Sequence, residues 1–239
     1  MLDPRDRLIV ALDVPSAAHA RQAVQTLGEA VTTYKIGKQL FTAEGSKIVR
    51  DLVSSGRKVF LDLKFHDIPN TVAAAVRSAA ELGASMLTVH ASGGSNMLRA
   101  AVEAARASAA KPMILAVTVL TSLGDADLQE IGVSGTVLSQ VLRLGALARS
   151  AGCGGLVASG HEARELRREL GEGFEIITPG VRPAGAGTGD QVRVMTPAEA
   201  MQAGATRLVV GRPVLEAPDP GDAARQILNE IEQALAIRA

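Results

Sequence analysis

The segment Asp62-Leu63-Lys64-Phe65-His66-Asp67 places two carboxylates and an ammonium close together in the chain. It follows the apolar run Val59-Phe60-Leu61 and leads into Ile68-Pro69-Asn70-Thr71. Side chains on a strand alternate faces, so Asp62 and Lys64 are expected on one side, with Asp67 just beyond, where Pro69 should end the extended run. An ammonium flanked by carboxylates keeps its charge at neutral pH, so it can stabilise negative charge developing beside it and then deliver a proton. The same spacing also occurs in surface ion pairs, which are common and weak. Here the buried strand before it and a helix start after it, with Asn70 or Thr71 near the cap, point to the functional end of an α/β fold.

The rest of the chain supplies elements of the right kind to present such a group. Apolar runs at Leu8 to Leu12, Thr32 to Ile36, Lys58 to Leu63, Met86 to His90, Met113 to Leu120, Gly155 to Ser159, Glu175 to Thr178 and Arg207 to Val210 read as strands. Between them lie helical stretches at about Ser16 to Leu27, Thr42 to Ser55, Asn70 to Leu82, Gly94 to Ala109, His161 to Leu170 and Pro197 to Ala203. Two helical pieces, about Asp125 to Glu130 and Val137 to Ala151, follow the fifth strand, and Gly221 to Ile237 closes the chain. Recurrent turns such as Ser55-Gly56, Leu82-Gly83-Ala84, Ala151-Gly152 and Ala203-Gly204-Ala205 imply repeated right-handed βαβ units. Near-continuous apolar strands imply a parallel sheet covered on both faces. Eight units in 239 residues fit a single-domain (β/α)8 TIM barrel spanning residues 1–239. A doubly wound open sheet is the competitor, but it would not bring polar residues after strands one, two, three, five, seven and eight together as a closed ring does.

Composition excludes several classes of function. Twenty-five basic and 25 acidic residues leave no net field to draw nucleic acid or an anionic membrane. With no Trp, one Tyr and four Phe, the chain lacks stacking platforms for single-stranded nucleic acid. The start, Met1-Leu2-Asp3-Pro4-Arg5-Asp6-Arg7, does not read as a signal or transit peptide, and no apolar run approaches the roughly 18 residues of a span. A cytoplasmic protein is expected. The single cysteine, Cys153, excludes an internal disulfide, and with no His or charge beside it reads as a packing residue.

Two loops suit an anion. Gly211-Arg212 follows the eighth strand, and Gly180-Val181-Arg182, continuing through a glycine-rich run to Gln191, follows the seventh. Barrels frequently hold phosphate after strands seven and eight, where backbone N–H groups and an arginine meet its oxygens. The glycines would also let the seventh loop close as a lid.

The run Asp62-Leu63-Lys64-Phe65-His66-Asp67-Ile68-Pro69-Asn70-Thr71, with Leu12-Asp13, Tyr34-Lys35-Ile36-Gly37, Leu120-Thr121-Ser122 and Val210-Gly211-Arg212-Pro213 in that order, resembles the bacterial orotidine 5′-phosphate decarboxylases over essentially the whole chain. The resemblance implies a homodimer that converts orotidine 5′-phosphate to uridine 5′-phosphate with neither metal nor organic cofactor. It implies Lys64 as proton donor, within a charged array of Lys35, Asp62, Lys64 and an Asp67 contributed across the subunit interface. Asp13 and Lys35 would hold ribose hydroxyls, and Thr121, with Ser122, would contact the pyrimidine. Arg182, Gln191, Gly211 and Arg212 would secure the phosphate, and Asp62 and Thr71 would also contact substrate.

Loss of CO2 from C6 leaves an electron pair in the ring plane, which the π-system cannot delocalise, so a cation at C6 is the available help. A charged Lys64 also argues against a Schiff-base aldolase, which needs a neutral amine. His66 and His90, near strand ends, are weaker candidates for a base or metal ligand, and His19 and His161 read as surface or helix-start residues. The nearest rival is a metal-dependent sugar-phosphate decarboxylase or aldolase barrel of the 3-keto-L-gulonate 6-phosphate decarboxylase or hexulose-phosphate synthase kind, which needs a further carboxylate where this chain has Lys35. A nucleotide-binding protein without activity is the second.

Overall fold

The computed structural model describes residues 3–183 and 195–238. Among these, eight parallel strands close a barrel in sequence order: β1 Leu8–Ala11, β2 Thr33–Gly37, β3 Lys58–Phe65, β4 Met86–His90, β5 Met113–Val117, β6 Gly155–Val157, β7 Glu175–Thr178 and β8 Arg207–Val210. The ring is completed by β1 against β8, with Ile9 opposite Val209 and Val10 opposite Val210. The expected TIM barrel is therefore the observed fold, and the open sheet is set aside.

Helices α1 Ala17–Leu27, α2 Lys38–Glu44, α3 Ser46–Ser54, α4 Pro69–Glu81, α5 Gly94–Ala107, α6 Asp125–Glu130, α7 Val137–Ser150, α8 Gly160–Leu170, α9 Pro197–Ala203, α10 Arg212–Leu215 and α11 Pro220–Arg238 surround the strands. Three differ from expectation. The single helix expected from Thr42 to Ser55 is two, because Gly45 takes φ 64° and breaks the hydrogen-bond ladder between α2 and α3. Helix α4 begins on Pro69 with Ile68 at its N-cap, so neither Asn70 nor Thr71 caps it; proline at the first helical position needs no N–H partner. The turn α10, right after β8, has no amphipathic period to reveal it.

Two apolar layers follow from strand alternation. One packs between strands and helices, and includes Leu8, Val10, Tyr34, Ile36, Leu61, Leu87 and Leu208. The other plugs the barrel interior, with Ile9, Ala11, Phe60, Met86, Leu115, Ile177 and Val209. Burial pushes the Tyr34 phenol up to about 12 and the Cys153 thiol up to about 12, so both stay neutral and Cys153 acts as packing. No helix among the described residues is long and apolar enough to cross a membrane.

The plug is filled to its limit at β6. A Cβ on Gly155 would lie 2.5 Å from the Glu175 carbonyl oxygen and 2.6 Å from Glu175 Cβ on the paired strand. A backbone carbonyl in a ladder cannot step aside, so Gly155→Ala should destabilise the barrel by roughly 2 kcal/mol, read as a Tm about 5 °C lower by calorimetry.

Candidate active site

Strands β1, β2 and β3 run side by side, so their C-terminal ends bring Asp13, Lys35, Asp62 and Lys64 together. Lys35 stands opposite Ala11, and Asp62 opposite Gly37. The charges alternate along the rim. Lys35 Nζ lies 3.0 Å from Asp13 Oδ1 and 3.7 Å from Asp62 Oδ2. Lys64 Nζ lies 2.9 and 2.8 Å from the two oxygens of Asp62. Gly37 leaves room for this, since a Cβ there would come 3.0 Å from Lys35 Nζ and 3.2 Å from Asp13 Oδ1.

Asp62 and Lys64 do meet, but not by simple alternation. Between Leu61 paired with Leu87 and Phe65 paired with Val89, β3 advances four residues while β4 advances two, so β3 bulges. Within the bulge Lys64 takes φ 54°, a left-handed conformation uncommon for a side-chain-bearing residue. Thr88, fully buried opposite the bulge, donates from Oγ1 to Asp62 Oδ1 at 2.9 Å and accepts the Lys64 backbone N–H at 2.8 Å. The sequence reading missed Thr88. Its signal was a hydroxyl inside the apolar strand Met86-Leu87-Thr88-Val89-His90, in period with His90.

The closeness of Asp67 to Asp62 and Lys64 in sequence does not carry over to the fold of one chain. Asp67 is exposed, lies outside the cavity that these residues line, and accepts the Ile68 N–H at 2.6 Å. The left-handed turn at Lys64 and the start of α4 at Pro69 carry it outward. Thr71, in the first turn of α4, is likewise exposed and does not line the cavity.

Burial acts to raise the Asp62 carboxyl, but the Lys35 and Lys64 cations and hydrogen bonds from Lys64 and Thr88 outweigh it and hold the group below its ordinary value. It is thus an anion kept ionised at 8% exposure. His90, its ring centroid 5.3 Å from that of His66, is pushed down by burial and then by His66, Lys38 and Lys64, so it is neutral at neutral pH. Neither histidine lines the cavity, and no group of three or more His, Cys, Asp or Glu placed to hold a metal occurs among the described residues.

The array forms one wall of a cavity of about 470 Å³ at the C-terminal mouth of the barrel. Its floor is the top of the apolar plug, with Ala11, Phe60, Val117, Val157 and Val209. Thr121 lines it, while Ser122 is exposed outside it. Across the ring from β3, Gly180, Arg182, Gly211 and Arg212 complete the lining. Burial, and then the neighbouring Arg212 cation, push the Arg182 guanidinium below its ordinary value. Two cations that repel each other at the rim of a cavity favour an anion between them. Glu216, just after α10, also lines the cavity and offsets part of that charge; nothing in the sequence pattern singled it out. Gln191 lies outside the described residues.

Fold and site together define a (β/α)8 barrel with an alternating charge array on one side of its mouth and a pair of arginines on the other. Residues 6–227 match the family described as Orotidine 5'-phosphate decarboxylase / HUMPS family. Relatives named orotidine 5′-phosphate decarboxylase include one from Afipia carboxidovorans, 53% identical over 97% of both chains, and one from Saccharophagus degradans, 50% identical over 97% of both. A crystal structure of orotidine 5′-phosphate decarboxylase from Lactobacillus acidophilus matches with TM-score 0.84 and 36% identity, covering 94% of this chain and 98% of that one. The chain belongs to the orotidine 5′-phosphate decarboxylase family.

The depressed Asp62 carboxyl has a pH signature. Its ionised form stabilises the fold fully above the unfolded carboxylate value, near pH 4, and that contribution is lost as pH falls through the lower folded value. Tm measured against pH should therefore fall less steeply below about pH 4 in Asp62→Asn than in the native protein.

Proposed function

We propose that this protein decarboxylates orotidine 5′-phosphate to uridine 5′-phosphate in pyrimidine biosynthesis, with Lys64 as the proton donor. The observation that carries the reading is Lys64, held 2.8 Å from Asp62 at one wall of an apolar-floored cavity whose opposite wall bears Arg182 and Arg212. A nucleotide anchored by its phosphate on the β7 and β8 side spans the mouth and presents its pyrimidine to β3. Gly211 and Gln191 join the two arginines in that anchor, Asp13 and Lys35 take ribose hydroxyls, and Thr121 contacts the base.

The bond from C6 to the carboxylate breaks, CO2 leaves, and the electron pair stays on C6 in the ring plane. The Lys64 ammonium, already oriented, stabilises that pair and then transfers a proton to it; the amine regains a proton from water. Asp62, kept ionised, also faces the departing carboxylate and raises the ground-state energy, a secondary contribution. Phosphate and ribose contacts lie away from the reacting bond, and their binding energy supports closure and expulsion of water.

The active unit is proposed to be a cytoplasmic homodimer of single-domain barrels, in which the outward-facing Asp67 and Thr71 reach the neighbouring subunit's site. The 66% exposure of Ile68 beside Asp67 supports a covered surface there. The metal-dependent alternative is disfavoured by the donor set: Lys35, 3.0 Å from Asp13 and 3.7 Å from Asp62, puts an ammonium where a divalent cation would need a carboxylate.

Absorbance assays with orotidine 5′-phosphate should show turnover that survives EDTA; loss of activity on chelation would favour the metal-dependent reading. Lys64→Ala should remove measurable turnover, and Arg212→Ala should lower kcat/KM on the order of a hundredfold. Statistical mixing of inactive Lys64→Ala and Asp67→Asn dimers should restore about a quarter of native activity, because half the dimers are mixed and each then carries one intact site. No recovery on mixing would place Asp67 outside its neighbour's site.

A further inference from the structure

We propose that Thr88 is a positioning residue for decarboxylation: its one hydroxyl sets both the Asp62 carboxylate and the backbone that carries Lys64. The inference rests on the decarboxylase reading above and deepens it. Lys64 and Lys111 are the non-glycine residues with positive φ among those described, and Lys64 is the one at the cavity. A left-handed lysine at a strand end persists only when its surroundings over-determine it. The bulge withdraws the Lys64 N–H from the ordinary ladder between Leu61 and Phe65, and the Thr88 hydroxyl accepts that N–H instead at 2.8 Å. The same oxygen spends its only proton on Asp62 Oδ1 at 2.9 Å. A hydroxyl, one donor and two acceptor sites, is thus matched to one carboxylate and one amide.

The consequence is geometric. Asp62 is held from one side by Thr88 and from the other by Lys35 and Lys64, so its carboxylate has little freedom to turn. Lys64 is held at its backbone by Thr88 and at its ammonium by Asp62. Both ends of the pair therefore refer to one buried atom on β4, itself locked by the β4–β5 ladder, in which Thr88 pairs with Leu115. Small displacements of an ammonium from a reacting carbon are costly in rate, so the hydroxyl acts on kcat through Lys64 without touching substrate.

Thr88→Val keeps the branched shape and deletes the hydroxyl; Thr88→Ser keeps the hydroxyl and deletes the methyl. The expected result is a kcat at least about fivefold lower in Thr88→Val, with KM within about threefold because the phosphate anchor is untouched, and a Thr88→Ser enzyme within about threefold of native. A smaller fall in Thr88→Val, or a Thr88→Ser enzyme as impaired as Thr88→Val, would overturn the assignment. If Thr88→Val does not fold, Thr88→Ala takes its place in the same comparison. Amide hydrogen exchange at Lys64 in the free protein reads the pin without turnover. It should be at least about tenfold faster in Thr88→Val and restored in Thr88→Ser, and unchanged exchange would overturn the pin. Native protein that shows this exchange pattern but does not turn over orotidine 5′-phosphate would sink the decarboxylase reading while leaving the pin standing.

Discussion

An ammonium and a carboxylate 2.8 Å apart, the carboxylate buried and the ammonium partly so, are costly to assemble and costly to separate. The contact between Lys64 and Asp62 is the constraint from which the rest of this site follows. Burial of Asp62 at 8% exposure works against its charge, and the neighbouring cations and hydroxyl offset that cost. Lys35 on β2 and Thr88 on β4 each satisfy part of the pair and Asp13 after β1 balances Lys35, so four neighbouring strand ends are committed to one electrostatic object. The parallel barrel places these ends side by side in sequence order, with an apolar plug beneath them to exclude water from below.

The division of labour around the ring follows from that commitment. The ends of β1, β2 and β3 carry the alternating carboxylates and ammoniums, while the β7 and β8 ends carry two guanidiniums. Between them the floor is aliphatic. A low-dielectric floor strengthens the field from Lys64 and Asp62 and gives a neutral, flat ring a surface to lie against. A nucleotide has the matching polarity along its length: a phosphate at one end, a weakly polar ring at the other, and hydroxyls between them.

The same geometry explains why a metal ion would be out of place in the array. Divalent cations with oxygen ligands need converging carboxylates and few nearby cations. Here each carboxylate is already flanked by an ammonium, and the order Asp13, Lys35, Asp62, Lys64 alternates in sign along its whole length. The arrangement is thus complete in itself, and its cation on β3, Lys64, is one that can also surrender a proton.

The number and order of strand and helix units were legible because each depends on short-range pattern: apolar runs, Gly at helix ends and proline at starts. The identity of Asp13, Lys35, Asp62, Lys64, Thr121, Arg182, Gly211 and Arg212 was legible too, since residues at the C-terminal ends of barrel strands must converge once the ring is granted. Register was not. Whether β3 bulges against β4 depends on strands whose paired residues are more than 20 positions apart, and no local pattern in either strand encodes it. For that reason Thr88 went unread, and the outward turn that separates Asp67 from Asp62 and Lys64 of its own chain could not be read from their closeness in sequence. The sequence by itself determined which charges exist and roughly at which strand ends. Tertiary structure alone decided which of them touch, because contact is a property of non-local pairing and packing rather than of the chain's local preferences.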